Sequence, residues 1–294
     1  MLFPTKGWTM NDTIVVGVTG APVTRRVVAW ASARAAARDQ SIELVSVVGG
    51  AIGAVGEGDV IDRALTAAQH LLDDEAAEIR RTAPGVKVTT RVDAGNPVAV
   101  LIEASAKAAL LVIGSDYRGP GSGPARGAHG VRIAAGAHCP VVVVPDIDDL
   151  DAPERSGVVV GIDGSEVSED ALRFAAAEAD RLGEKLVAVS VWTPLEAPRN
   201  GLAVYPDLYL TNMQASTEEV LALALAGLAS DYPDLVVERV VARGFPSQVI
   251  TEYARTARLA VVGTHGRGAI ARFLLGSISQ EVLSRLVTVT AVVR

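Results

Sequence analysis

Two tandem open α/β domains, each a five-stranded and mostly parallel sheet flanked by helices, are what this 294-residue chain predicts. The first observation behind that expectation is that the chain is written twice. "IVVGVTGAPVTRRVVAWASARAAARDQSIELVSVV" from Ile14 parallels "VVVGIDGSEVSEDALRFAAAEADRLGEKLVAVSVW" from Val158, and "AGNPVAVLIEASAKAALLVIGS" from Ala94 parallels "ARGFPSQVITEYARTARLAVVGT" from Ala242. The second is that each copy alternates short β-branched runs with Ala-rich stretches of helical period. Strands that alternate with helices imply right-handed crossovers and a parallel sheet covered on both faces. The third is the break between the copies, "PDIDDLDAPERSG" from Pro145 to Gly157, where acids and prolines interrupt the apolar pattern.

These signals divide the chain into a leader at residues 1–10, expected to be disordered, a first domain at 11–146, a linker at 147–156 and a second domain at 157–294. The leader has no periodicity, and Met10 is an alternative start. Each domain opens with a strand, a Gly-containing turn with Ser or Thr just after it, an amphipathic helix and a second apolar strand. In the second copy the strands are expected at Val158–Asp163, Leu186–Trp192, Val236–Val241, Leu259–Gly263 and Thr288–Val293. Matching glycines fix the alignment: Gly17 with Gly161, then Gly95, Gly114 and Gly127 with Gly244, Gly263 and Gly276. One small insertion separates the first pair from the rest, so this is a duplicated domain and not a short-period solenoid.

Composition excludes several classes of function. Formal net charge is -7, which argues against general affinity for nucleic acid, since phosphate binding needs a surplus of Lys and Arg on some face. No apolar run reaches the roughly 18 residues of a membrane span, and the first residues lack the order of a secretory signal, so the expected location is the cytoplasm. Cys139 is the single cysteine and allows no intramolecular disulfide. It precedes a proline and an apolar run, which reads as a packed, inert thiol.

The glycines of "GTHGRGAIARFLLGS", Gly263 to Ser277, follow the fourth strand of the second copy. In a sheet of this kind, ligands bind beyond the carboxyl ends of the strands where strand order reverses. Gly266 to Ala271 matches a dinucleotide fingerprint, but that motif belongs after a first strand and needs an acid at the tip of the next. A P-loop is absent from the sequence. A split loop remains: Gly263-Thr264-His265-Gly266, nine residues, then Gly276-Ser277 opening the last helix. The unpaired amides of that helix start suit a phosphate chain, Ser277 adds a hydroxyl at capping distance, and Arg267 adds positive charge.

This G-x2-G-x9-G-[ST] spacing resembles the ATP-binding motif of the universal stress protein family. "VVVGIDGSEVSEDAL" resembles that family's first strand and loop, "GFPSQVI" its third-strand exit and "HCPVVVV" its last strand. The resemblance covers nearly the whole chain and is to the tandem-domain members. It implies a Rossmann-like fold and ATP as cofactor, with magnesium as a candidate companion. It also implies a set of binding residues: Asp163 beside the nucleoside, Val191 at the adenine, and Gly263, His265, Gly266, Gly276 and Ser277 at ribose and phosphates, with Val262, Ile278 and Ser279 adjoining them. Plainer readings stand beside these: Asp163 as the cap of its own turn, His265 as an exposed loop histidine, and Gly276-Ser277 as an ordinary helix start.

The first copy departs from the pattern. Thr19 stands at the position of Asp163, Tyr117 at that of the second glycine and Ala128 at that of Ser277, while Gly114 and Gly127 remain. Its loop stays glycine-rich and keeps Arg118 and Arg126, and a different ligand, a looser nucleotide mode or a flexible surface loop are its three readings. The functional expectation is a nucleotide-responsive regulatory or stress-adaptation protein. No catalytic or metal-binding residue is assigned, because the loop offers no positioned base or acid pair. The alternatives are a scaffold in which nucleotide is incidental, and a slow ATPase. Expected partners are ATP and, through the last strands, the other copy in an internal pseudo-dimer, or a second chain in a homodimer. No nucleic acid or membrane partner is expected.

Overall fold

The computed structural model describes residues 12–49, 58–115, 128–148, 150, 152, 154–194, 207–266 and 275–294. They form two compact units, one ending at Asp146 and the other running from Ile147. The leader at 1–10 lies outside the described residues, as do Tyr117, Arg118, Arg126, Gly127 and Arg267.

Unit 1 runs β1 Thr13–Gly17, α1 Thr24–Arg38, β2 Ser41–Val48, α2 Gly58–Thr82, β3 Val88–Ala94, α3 Pro97–Ser105, β4 Leu110–Ser115, α4 Ala128–Gly136 and β5 Val141–Pro145. Its strands order as β3-β2-β1-β4-β5, and the pairs are parallel. Unit 2 runs β6 Val158–Gly161, α5 Glu166–Leu182, β7 Leu186–Trp192, α6 Asp207–Ala224, the short α7 Leu228–Asp231, β8 Val237–Arg243, α8 Pro246–Ala254, β9 Leu259–Gly263, α9 Ser277–Arg285 and β10 Val289–Val293. Its order β10-β9-β6-β7-β8 is again parallel throughout. Each sheet therefore reverses its winding beside its own first strand, at β1/β4 and at β6/β9, and a crevice opens at the carboxyl ends of such a pair.

Burial on both faces explains the continuous apolar runs. In unit 2, Val158, Val160, Ala188, Val189, Val261 and Ala291 are wholly inaccessible. Against them α5 presents its small side chains, with Ala171, Ala175, Ala176 and Ala179 inaccessible as well. The helix starts where the sequence places a cap: Ser165 accepts from the Ser168 amide, and Glu166 and Glu169 lie in the first turn. It ends at Gly183 in the left-handed region. Gly95 and Gly244, matched between the copies, both carry positive φ (136° and 154°) where a strand turns into the next helix. A side chain there is strained whatever space surrounds it.

Several details differ from the sequence expectation: β8 runs from Val237 to Arg243, two residues past its expected end, and β10 opens at Val289. β6 ends at Gly161, so Asp163 sits in the turn and not on the strand. The end of the expected linker is packed into unit 2: Arg155 is 5% exposed and donates to the carbonyls of Ala257 and Val287. One guanidinium nitrogen shared between two loop carbonyls secures that segment, which composition alone marks as polar and loose.

Cys139 is buried, and burial pushes its thiol up to about 12. The reactive thiolate is thus suppressed. The expected result is no labelling of the native protein by a soluble disulfide reagent at mildly alkaline pH, and complete labelling once denaturant unfolds unit 1. Rapid labelling in native buffer would contradict the packing described.

Candidate functional site at the carboxyl ends of β6 and β9

A cleft of about 410 Å³ opens at the winding reversal of unit 2. The β6 exit contributes Gly161, Ile162 and Asp163, and the end of β7 contributes Val189 and Val191. Pro246 and Ile250, one turn apart on α8, form a side wall. The β9 exit brings Val262, Gly263, His265 and Gly266, and the start of α9 brings Gly276, Ser277, Ile278 and Ser279. Every described residue of the sequence-derived site is in this lining, although the residues are spread over more than a hundred positions of chain. Arg267 is the member outside the described residues.

One end of the cleft is apolar, with Val189, Val191, Pro246 and Ile250 facing it. The other end is backbone. The Thr264 amide donates to Val293 O at 2.6 Å, and the Gly276 amide donates to Thr264 O at 2.7 Å, so the two halves of the split loop are stitched to each other and to the end of β10. Ser279 Oγ donates to Gly263 O at 2.5 Å and holds the first turn of α9 against the β9 exit. The first bond of α9 runs from the Gln280 amide to Gly276 O. The amides of Ser277, Ile278 and Ser279 therefore have no partner within the helix, and they carry its positive end.

The glycines are explained by what surrounds them. A Cβ on Gly266 would stand 2.3 Å from Asp163 Oδ2, and one on Gly263 would stand 2.8 Å from Val167 Cγ1. A Cβ on Gly276 would meet Thr264 O and His265 Cα at 3.3 Å. Space at the loop is kept for backbone. Gly276 is itself the cap residue of α9, with φ -61° and ψ 151°, and it brings no side-chain bond. This corrects the expected capping role of the Ser277 hydroxyl: Ser277 is the first helical residue, one position past the cap.

Asp163 Oδ1 accepts from the Ser165 amide at 3.0 Å and from Ser165 Oγ at 2.6 Å. The turn-capping reading of this aspartate is therefore realised, and it coexists with a place in the cleft lining. In unit 1, Thr19 Oγ1 accepts from the Ala21 amide at 3.3 Å, the matching bond. The amide bond of the turn survives loss of the carboxylate, so what Asp163 adds over Thr19 is charge, a bond from the Ser165 hydroxyl and a second oxygen lying against Gly266. His265 Nδ1 lies 3.0 Å from Thr264 Oγ1. Ala128 opens α4 as Ser277 opens α9. A cavity of about 400 Å³ in unit 1 is not the counterpart, for it lies between the turn at Thr19–Arg25 and Leu71 and Glu75 of α2.

Sequence reasoning missed Gly161, Ile162, Val189, Pro246 and Ile250. Only the last two carried a usable signal, because Pro246 and Ile250 have helical i,i+4 spacing just after a strand exit.

The fold and the cleft define each unit as a doubly wound α/β domain of the Rossmann-like class, with a glycine-lined crevice in the second. A family model described as the universal stress protein family matches residues 10–145 and again 155–294. The chain belongs to the universal stress protein family, as a tandem member. It is 34% identical over 297 residues to universal stress protein Rv1996 of Mycobacterium tuberculosis, covering 93% of this chain and 92% of that protein. It is 32% identical over 279 residues to Rv2623 of the same organism, covering 92% of each. The crystal structure of a universal stress protein from Archaeoglobus fulgidus is similar in fold, with TM-score 0.68 and 19% identity over 95% of both chains.

Proposed function

We propose that unit 2 binds ATP in the cleft between β6 and β9, and that occupancy, not turnover, is the output: a nucleotide-responsive regulatory role in stress adaptation. The observation that carries this reading is the meeting of three glycines and the start of α9 at one end of an apolar-walled cleft. Oriented amides at a helix start suit phosphates, and the apolar wall suits a base. Among the described residues no group of three or more His, Cys, Asp or Glu could hold a metal ion. Magnesium would arrive on the phosphates of the nucleotide and neutralise part of their charge. A cytoplasmic location belongs to the same proposal; no helix among the described residues is long and apolar enough to cross a membrane.

Equilibrium titration tests the reading, with Trp192, next to Val191, as an intrinsic reporter. Trp192 is held by Gln214 Oε1 at 2.8 Å and lies under Arg243. The expected result is one ATP per chain. Asp163→Ala is expected to weaken binding roughly tenfold, the scale of one lost hydrogen bond from a charged acceptor. Two nucleotides per chain, or unchanged affinity in that variant, would sink the assignment of the site. Phosphate release through many turnovers would replace the regulatory reading with an ATPase.

A further inference from the structure

We infer that Ser247 and Glu281 are a positioning clamp that sets the phosphate cradle against the opposite wall of the cleft; the inference rests on the ATP reading above. The Ser247 hydroxyl donates to Glu281 Oε2 at 2.6 Å, and the other oxygen of that carboxylate pairs with Arg285 at 2.5 Å. Ser247 is 3% exposed and directly follows Pro246, a wall residue. Glu281 lies one turn beyond Ser277, on the helix whose first turn forms the cradle. One charge-assisted bond, close behind the lining, thus joins the helix of the wall to the helix of the cradle. Neither residue lines the cleft itself.

The two copies differ at this point in an instructive way. In unit 1, α3 is capped locally by Asn96, whose side chain accepts from the amides of Val98 and Ala99. Phe245 occupies the matching position before α8 and makes no side-chain cap. The anion that favours the first turn of a helix comes to α8 from α9, through Ser247. Unit 1 has Val98 and Arg132 at the matching positions, and neither can reproduce the pair. The copy that keeps the glycine loop has exchanged a local cap for a tie between helices. A tie of that kind fixes the distance from wall to cradle, which a local cap does not.

The test uses the full chain, with ATP and adenosine titrated separately well below the melting temperature. Ser247→Ala and Glu281→Ala are each expected to bind ATP roughly tenfold more weakly, the loss of one charge-assisted bond, with adenosine affinity within about twofold of wild type. The double variant is expected to be no worse than the weaker single, because the two residues act as a unit. Glu281 is exposed, so Glu281→Gln, which keeps an acceptor for the hydroxyl, preserves the test if Ser247→Ala fails to fold; roughly a threefold loss is expected there. Unchanged ATP affinity in the single variants, additive losses, or equal losses for ATP and adenosine would overturn the clamp and leave the ATP site standing. A wild-type chain that binds neither ligand overturns both.

Discussion

Gly276→Val is expected to reduce ATP affinity at least about a hundredfold, equivalent to about 2.7 kcal/mol, while leaving the fold intact. The backbone at Gly276, φ -61° and ψ 151°, is open to any residue, so the effect is steric and not conformational. A Cβ at this position already stands 3.3 Å from Thr264 O and His265 Cα, both backbone atoms that cannot rotate aside. Valine adds two methyl groups. Either they push the loop off α9, breaking the 2.7 Å bond from the Gly276 amide to Thr264 O, or they project into the crevice where phosphate is to lie. Gly276→Ala is the graded control, with a loss of roughly tenfold, since a few tenths of an ångström of movement relieve a single methyl. Titration with circular dichroism on the same samples decides the matter. Binding by folded Gly276→Val within threefold of wild type would show that the start of α9 is not the phosphate site.

What the sequence made legible follows from which residues carry a signal of their own. β7 and β9 occupy the expected ranges because each is a β-branched run ended by a change of character, at Trp192 and at Gly263. The polar end of the cleft was legible for a similar reason: Gly263, Gly266 and Gly276 have few other uses at that spacing, and a damaged twin in the first copy fixes their frame. The apolar end was not. Ile250 is 4% exposed and Val189 is inaccessible, so both look like core residues, and only the winding reversal turns them toward a crevice. The tie from Ser247 to Glu281 was illegible for a further reason. It spans two helices whose proximity is a product of the fold, whereas the Asn96 cap in unit 1 is a local motif. Asp163 shows that two readings of one residue need not compete, since one carboxylate oxygen satisfies the turn and the other lies against Gly266.

The duplication itself supplies the second large prediction. Leu110 and Leu259 hold matching positions at the starts of β4 and β9, and they are 0% and 1% exposed. Leu259 sits in register with both Val158 and Val289, and Leu110 with Ile14. Truncating either to alanine opens a cavity in its own unit and is expected to cost about 3 kcal/mol. For a unit of this size that lowers its melting temperature by roughly 10 °C. Leu259 lies at the amino end of β9, roughly 13 Å of strand from the glycine loop, so the substitution spares the cleft. ATP at a hundred times its Kd stabilises whatever folded unit binds it by about 2.7 kcal/mol. Saturating ATP is therefore expected to restore nearly all of the lost melting temperature in Leu259→Ala and none in Leu110→Ala. Equal rescue of both variants, in calorimetric traces that resolve a separate transition for each unit, would mean that the first copy also holds nucleotide, despite Thr19 and Tyr117. Rescue of Leu110→Ala alone would reverse the assignment of the two halves, because a ligand stabilises only the equilibrium to which its own binding site belongs.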